Sequence, residues 1–504
     1  MAEQTDHPSD PALEAADGED LDRLLAIRRG KLDKLRAIGV DPFGQAFART
    51  HFARDVTLGF LQLENQQVVL AGRIMSIRSH GKASFADLRD QSGKVQIYFK
   101  EDVIGQQAYA IFELLDLGDI VGITGTVFRT RRGEISVQAS GLTLLTKSLR
   151  PLPEKWHGLK DVELRYRQRY VDLIANPEVR EAFEIRSKAI RAIRNYLDGE
   201  GFLEVETPVF LPIPTGAAAR PFVTHHNALD LKLYMRIATE LYLKRLIVGG
   251  FEKVYEVGRI FRNEGISTKH NPEFTMMELY QAYSDYEGMM HLTENMISYV
   301  AQQVLGTTKV IYQDQEIDFA PPWPRARMLD LIKQHSGVDF NIIQTDEEAV
   351  AAARGAGLQL APNTTYSQAL DEVFSQFVEP KLTGPIFVTD YPVEISPLAK
   401  RMHENPRLTY RFEAFIAGRE ACNAFSELND PIDQRQRFEQ QAAEKAKGNE
   451  EAHEMDEDFL QALEYGMPPT GGLGIGIDRL CMVLAGVDSI RDVILFPLMR
   501  PRAD

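Results

Sequence analysis

Residues 252–283 read EKVYEVGRIFRNEGISTKHNPEFTMMELYQAY, and the alternation in the two flanking runs decides how the larger part of the chain is built. Successive strand side chains point to opposite faces. Phe274, Met276, Glu278 and Tyr280 therefore share one face of the second run, and Arg262 and Glu264 are expected to share one face of the first. The polar stretch between them, with Gly265 and Asn271-Pro272, predicts the loop of an antiparallel hairpin. A guanidinium, an aromatic ring and carboxylates on one sheet face suit a molecule carrying a phosphate, a flat heterocycle and a cation, because the planar fork of arginine matches phosphate oxygens. Alone, the same pattern also describes an Arg/Glu ladder on a solvated sheet.

Two further segments point the same way. RFEAFIAGREACNAFSELND (411–430) predicts a second hairpin turning at Ala417 and Gly418, which brings Glu413 and Glu420 to neighbouring levels. Two carboxylates beside a phosphate make the oxygen environment that Mg²⁺ takes. Asn423, Phe425 and Glu427 alternate onto one face; Glu420 is out of phase with them and needs a bulge or a turn-end position, which phase alone leaves open. GGLGIGIDRL (471–480) places Gly472, Gly474 and Gly476 at period two. The spacing and context do not fit a dinucleotide fingerprint. Alternating glycine instead strips one strand face of side chains, so that a ligand can lie against the backbone. Asp478 and Arg479 then open a helix whose N-terminal amides favour anions.

The rest of the chain frames these pieces. At 504 residues it exceeds one hydrophobic core, and two or three domains are expected. No apolar run approaches the roughly 18 residues of a membrane span, and the N-terminus has neither secretory nor transit character, so a cytoplasmic location is expected. Cys422 and Cys481 are far apart and read as small core residues. The formal charge of −16 argues against a nucleic-acid partner, but attraction follows the local patch and not the sum. Residues 1–20 hold seven acidic residues and no Lys or Arg and read as a disordered tail; the segment from Glu439 to Glu464, with EEAHEMDED in it, is another acidic block. Residues 22–36 carry six basic residues against two acidic, with Leu21, Leu25, Leu32 and Leu35 at helical spacing. A basic amphipathic helix and linker are thus expected over 21–66.

Over 67–150 the pattern is five short strands with one helical insert near 105–116 before the last pair, the element order of an OB-fold. Phe85, Gln96 and Tyr98 fall on its strands, where an aromatic can stack on a base and an amide can read a base edge. The Pro-rich stretch at 150–159 marks the domain boundary, with 151–504 as the second domain. There, Val179, Phe183, Ile190, Ile193 and Leu197 predict a long helix, and LEVETPVF (203–210), with Pro208, an edge strand suited to a subunit interface.

EGFLEVETPVF, FRNEGISTKHNPEF and GLGIGIDR, in this order, resemble the three signature motifs of the class II aminoacyl-tRNA synthetases. With GKASFADLRD, YPVEISPLAK and NAFSELND, the wider likeness is to the bacterial lysyl type and covers nearly the whole chain beyond the acidic tail. The resemblance implies an α+β chain: an N-terminal OB-fold β-barrel that binds the anticodon, then a class II antiparallel sheet flanked by helices, working as a homodimer through the first motif. The implied reaction joins L-lysine to lysine tRNA at the expense of ATP, with Mg²⁺ as cofactor. Placed on matching residues, Arg262 holds the ATP α-phosphate and the lysine carboxylate, and Glu264 accepts from the adenine amine. Phe274 and Arg479 sandwich the ring, and His270 and Asn271 reach the outer phosphates; Arg262, Glu264, His270 and Arg479 are the catalytic set. Asn263, Glu420, Gly476 and Asp478 complete the ATP site, and Glu413 and Glu420 hold the metal. Gly216 and Glu240 take the lysine α-amino end, Asn423 and Phe425 flank the substrate, and Glu278, Tyr280 and Glu427 take the ε-ammonium. Arg78, Phe85 and Gln96 read the anticodon, and the basic helix is expected to touch tRNA.

Aspartyl and asparaginyl relatives share both domains. A substrate with an acidic side chain needs a cation at that end, whereas SELND and MMELY supply carboxylates, and a buried unpaired charge is costly. A protein ligase that attaches lysine to a translation factor would lack the OB domain.

Overall fold

A computed structural model describes residues 11–80, 83–153, 159–217, 219–361, 363–446 and 455–501. The chain forms two compact units, Met1–Leu159 and Lys160–Asp504, so the boundary falls at the end of the Pro-rich stretch and not at its start. Residues 1–10 of the acidic tail, 154–158 of the linker and 447–454 of the second acidic block lie outside the described residues.

In the first unit, strands β1 (Gln67–His80), β2 (Ala83–Arg89), β3 (Lys94–Lys100), β4 (Ile120–Arg129) and β5 (Ile135–Thr146) close into a barrel of order β1-β2-β3-β5-β4. The insert before β4 is two short helices, Glu101–Ile104 and Gln106–Glu113. Inward residues such as Leu70, Ile97, Val121 and Val137 are fully buried and alternate with half-exposed neighbours, the period-two signature of a closed barrel.

The N-terminal helix runs Pro11–Ala37. It starts inside the stretch expected to be a disordered tail, a correction to that expectation. Its Leu32 and Leu35 are buried, but two of its basic residues share the inner face. Arg28 donates to Leu117 O (2.9 Å), Ser148 O (2.9 Å) and Arg150 O (3.1 Å). Lys31 Nζ donates to Asp116 at 2.6 Å, beside fully buried Lys147, which pairs with Asp116 and Asp119. Those cations dock the helix on its barrel; Arg23, Arg29, Lys34 and Arg36 remain exposed.

The second unit is built on an eight-stranded sheet. From one edge its strands are Arg325–Arg327, Ile386–Thr389, Arg411–Ile416, Arg419–Ser426, Thr470–Gly476, Glu273–Ala282, Lys253–Phe261 and Leu203–Glu204. All pairings among the six central strands are antiparallel, whereas both outermost pairings are parallel, so the sheet is mixed at its rims and not antiparallel throughout. Helices Val179–Gly199, Tyr286–Leu305 and Ile477–Ala485 pack on it, with Ile193, Leu197, Ile297, Leu473, Ile475 and Cys481 in one core. On the first of these helices the buried stripe includes Ala182, Ile185, Ala189 and Ala192; these small residues suit its close packing against the helices Tyr286–Leu305 and Ile477–Ala485. Both cysteines are free and buried. Leu203–Glu204 is the edge strand, shorter than LEVETPVF suggests, because Phe210–Leu211 joins a separate three-stranded sheet; Leu203, Val209 and Phe210 are exposed. Among the described residues no helix is long and apolar enough to cross a membrane.

Candidate active site

The first hairpin is Lys253–Phe261 with Glu273–Ala282, in register from Lys253↔Gln281 to Phe261↔Glu273. The strand ends at Phe261, so Arg262 and Glu264 stand just beyond it, in the loop, and not on the strand face expected for them. The backbone still aims the guanidinium inward: Arg262 N donates to Pro272 O at 2.8 Å, closing the loop neck. The second hairpin, Arg411–Ile416 with Arg419–Ser426, turns at Ala417 (φ 51°) and Gly418 (φ 68°), the two left-handed residues that a tight hairpin needs. Its pairing runs Glu413↔Asn423 and Ala414↔Cys422, then jumps to Phe415↔Glu420. Ala421 is the extra residue. This bulge resolves the phase of Glu420 and turns its carboxylate towards the face of Glu413 and Asn423.

Between the hairpins lies Thr470–Gly476, where Gly472 faces Tyr280 and Phe425, Gly474 faces Glu278 and Asn423, and Gly476 faces Met276. A Cβ on Gly472 would collide with Glu427 Oε1 and the Tyr280 ring; the missing side chains open a cavity of about 410 Å³ on this face. Gly216 (φ +93°) closes one side against Glu240, with Ala238 only 3.1 Å from where its Cβ would stand. Every site residue expected in this unit lines the cavity except Asn263. Asn263 is exposed, and its backbone N–H goes to Arg220 O at 2.8 Å. It is withdrawn as an ATP contact.

One region of the cavity is cationic and unsatisfied. Arg262 makes a single long hydrogen bond from Nε to Ile237 O (3.4 Å) and sits 5.3 Å over the Phe274 ring. Among the described residues it forms no ion pair, and burial pulls its pKa down against the opposing field of Glu264. A buried guanidinium without a counter-ion calls for an anion. His270, whose ring meets Ser267 Oγ at 3.1 Å, is also lowered, by burial and by Arg479. Arg479 donates to Glu420 O (2.9 Å) and Oε2 (3.1 Å).

Two expected ATP ligands are otherwise engaged. Asp478 is buried; Arg186 from the helix Val179–Gly199 binds its Oδ1, and Thr275 N donates to its Oδ2 at 2.7 Å. It pins the helix that carries Arg479 to the strand that carries Phe274, and so positions both. Asn271 donates to Glu273 O (2.6 Å) and accepts from Leu498 N (3.3 Å), which fixes the loop exit instead of reaching outward.

Glu413 and Glu420 compete for charge. Burial and the neighbouring Glu420 push Glu413 up to about 7; burial also works to raise Glu420, but Arg479 holds it below the usual carboxylate range. Arg411, which the sequence reading missed, bonds Glu413 Oε1 (2.6 Å) and Asn423 Oδ1 (3.0 Å), and Tyr391 OH donates to Glu413 Oε2 (3.0 Å). Two carboxylates repelling each other in one wall fit a divalent cation whose remaining ligands come from phosphate and water. Among the described residues no third acidic, His or Cys ligand joins them.

At the glycine strand the cavity becomes acidic. Glu240, Glu278 and Glu427 are all buried. Glu278 accepts from Thr239 N (3.2 Å) and from Tyr280 OH (3.4 Å), and burial, then Glu240, lifts it to about 7. Burial raises Glu427 well above the ordinary value.

On the barrel, Arg78, Phe85 and Tyr98 form one cross-strand row, with Ser76, Asp87 and Gln96 in a second row. The Phe85 and Tyr98 rings lie 4.9 Å apart, with Phe128 5.9 Å beyond. Ser136 Oγ donates to Gln96 Oε1 at 2.9 Å, which leaves the NH₂ end to read a base acceptor. Arg78 is exposed and touches Asp87 at 3.3 Å.

Residues 161–500 match the family profile described as tRNA synthetases class II (D, K and N), and residues 68–145 match an OB-fold nucleic acid binding domain. The chain is 64% identical over 486 residues to the lysine-tRNA ligase of Pelotomaculum thermopropionicum, covering 96% of each chain. It is 64% identical over 481 residues to that of Moorella thermoacetica (95% of this chain, 98% of the relative), and 61% over 484 residues to that of Carboxydothermus hydrogenoformans (96% and 99%). The cavity between two hairpins and a glycine strand, the barrel before it and these matches together place the chain in the class II tRNA synthetases (D, K and N).

Proposed function

We propose that the chain is a cytoplasmic, homodimeric lysine-tRNA ligase, which activates L-lysine with ATP and transfers the lysyl group to the terminal ribose of lysine tRNA. The observation that carries the substrate choice is a charge count. Glu240, Glu278 and Glu427 share this acidic region with one resident cation, Lys244, which pairs with Glu240 and Glu427, so three buried carboxylates less one ammonium leave two negative charges. L-Lysine brings two ammonium groups, and Arg262 meets its carboxylate. An acidic or neutral side chain would leave one of those charges unmatched.

Activation needs no protein nucleophile. The lysine carboxylate attacks the α-phosphorus, the bond to the bridging oxygen breaks, and pyrophosphate leaves. Arg262 neutralises charge developing on the α-phosphoryl group while Phe274 and Arg479 hold the adenine, so the rate comes from positioning and electrostatic stabilisation. Glu264 accepts the adenine amine, and His270 meets the outer phosphates. Glu413 and Glu420 would hold Mg²⁺, which supplies charge neutralisation for the departing pyrophosphate. The exposed apolar side chains of Leu203, Val209 and Phe210, in the first-motif stretch, support pairing with a second copy. ATP-pyrophosphate exchange measured with each of the twenty amino acids tests the reading: lysine should stand alone, and dominant exchange with aspartate or asparagine would overturn it.

The barrel reading has its own test. Phe85 is the half-buried ring of the aromatic row, with Gln96 beside it as amide donor. Stacking on an aromatic is worth roughly 1 to 3 kcal/mol per base, so Phe85→Ala is expected to lower charging of lysine tRNA by about five- to 150-fold. Pyrophosphate exchange by the same preparation should be unchanged. If charging is untouched, the exposed basic residues of the N-terminal helix become the better tRNA contact.

A further inference from the structure

Lys244 is the one fully buried lysine among the described residues of the catalytic unit, and nothing in the reaction above uses it chemically. It lies on the helix Glu240–Val248, one turn after Glu240, to which its Nζ donates. The same Nζ is in ion contact with Glu427 Oε2. Rings of Phe425, Tyr280 and Phe459 surround it, with centroids 5.4, 5.9 and 6.0 Å away. The ammonium thus sits in a carboxylate and aromatic cage of the kind that suits a substrate amine. Glu427 Oε1, the oxygen turned away from that contact, has no hydrogen-bond partner among the described residues. Buried acceptors left in this state are costly unless a ligand donor completes them.

We propose that Lys244 is a positioning residue for substrate recognition: it clamps Glu240 and Glu427, the carboxylates assigned to opposite ends of the amino acid, and sets the pocket's charge to match a diammonium substrate. The proposal rests on the lysine reading given above. The ionisable groups facing Lys244 are Glu240 on its own helix, Tyr280 from the first hairpin and Glu427 after the second; Glu278 acts on Glu240 and Glu427, and Phe459 contributes only a ring. With Lys244 charged, three ionised carboxylates and three ammonium groups balance once lysine is bound. Without Lys244 the two incoming ammonium groups face three carboxylates, so one carboxyl must stay protonated in the complex or remain an unpaired buried charge.

Lys244→Gln keeps length and hydrogen-bond donors but removes the charge. Calorimetry in buffers of different ionisation enthalpy, at pH 6.5, counts protons released on lysine binding. The variant is expected to release no more protons than the unchanged protein, because one carboxyl stays protonated in its complex. Its KM for lysine should rise about 100-fold, with ATP KM within threefold, and its preference for lysine over norleucine should shrink by a similar factor. Lys244→Arg, which restores the charge, should recover the lysine KM and the norleucine discrimination. A purely structural lysine would alter melting temperature yet leave lysine KM and norleucine discrimination as they were; that result, in folded Lys244→Gln, overturns the proposal. Should both variants fail to fold, the unchanged protein decides: release of two protons or fewer supports the clamp, and three would mean that Lys244 compensates none of the carboxylates. Failure of the unchanged protein to bind lysine at all would instead overturn the lysine reading, and so remains distinguishable.

Discussion

Arg262→Ala is expected to cut lysine-dependent pyrophosphate exchange by about two to three orders of magnitude, the cost of roughly 3 to 4 kcal/mol seen when a preorganised donor to a developing negative charge is removed. The expectation comes from what Arg262 lacks. The only direct hydrogen bond of its guanidinium to the described protein atoms is the long one from Nε to Ile237 O, and it pairs with no carboxylate among the described residues. Burial disfavours its charged form. Alanine therefore breaks no ion pair and relieves a buried charge, so the variant should fold and melt no lower than the unchanged protein by more than a few degrees. The loss should fall mainly on the rate of activation, because the guanidinium meets charge that grows as the α-phosphoryl group is attacked. A folded Arg262→Ala protein with exchange within tenfold of the unchanged chain would show that another group stabilises the α-phosphate.

What could be read from the sequence follows from which physical rules are local. Strand alternation put Phe274, Met276, Glu278 and Tyr280 on one face, and the glycines at period two marked the open floor, because both depend on near neighbours in sequence. The turn at Ala417 and Gly418 was legible for the same reason. Arg262 and Glu264 were misplaced by the same rule: alternation does not say where a strand stops, and this one stops at Phe261. Glu420 needed a bulge, and one inserted residue leaves no mark in periodicity. Asp478 and Asn271 read as ligands because their partners, Arg186 and the Leu498 amide, lie 292 and 227 residues away in the chain. Lys244 was overlooked because Glu240 and Lys244 at i,i+4 look like the ordinary solvated pair of a surface helix. Only the tertiary fold, by laying Glu427 and three rings over that pair, buries it.

Glu278→Gln should raise the KM for lysine by about 100-fold, with ATP KM little changed, since it keeps the size and hydrogen bonds of the side chain and removes the charge that meets the ε-ammonium. The pH dependence makes the argument stricter. Burial and Glu240 hold Glu278 at about 7 in the free protein, against an ordinary value of 4.5. The ammonium binds the ionised form, so lysine affinity should climb as pH rises through 7, level off above about 8, and fall by up to tenfold per pH unit below 6. In Glu278→Gln that contribution to the slope should vanish. Stability runs the other way. A carboxyl whose folded value is raised binds its proton more tightly when folded, so it costs nothing below 4.5, and the cost grows as pH climbs from 4.5 to 7. Above pH 7 the full cost is roughly 3 kcal/mol. Glutamine cannot ionise and escapes that cost, so at pH 8 the variant should melt at or above the temperature of the unchanged protein while binding lysine far more weakly. Weaker binding with lower stability would indicate simple loss of packing; unchanged lysine affinity between pH 6 and 8 in the unchanged protein would remove Glu278 from the set of groups that recognise the ammonium.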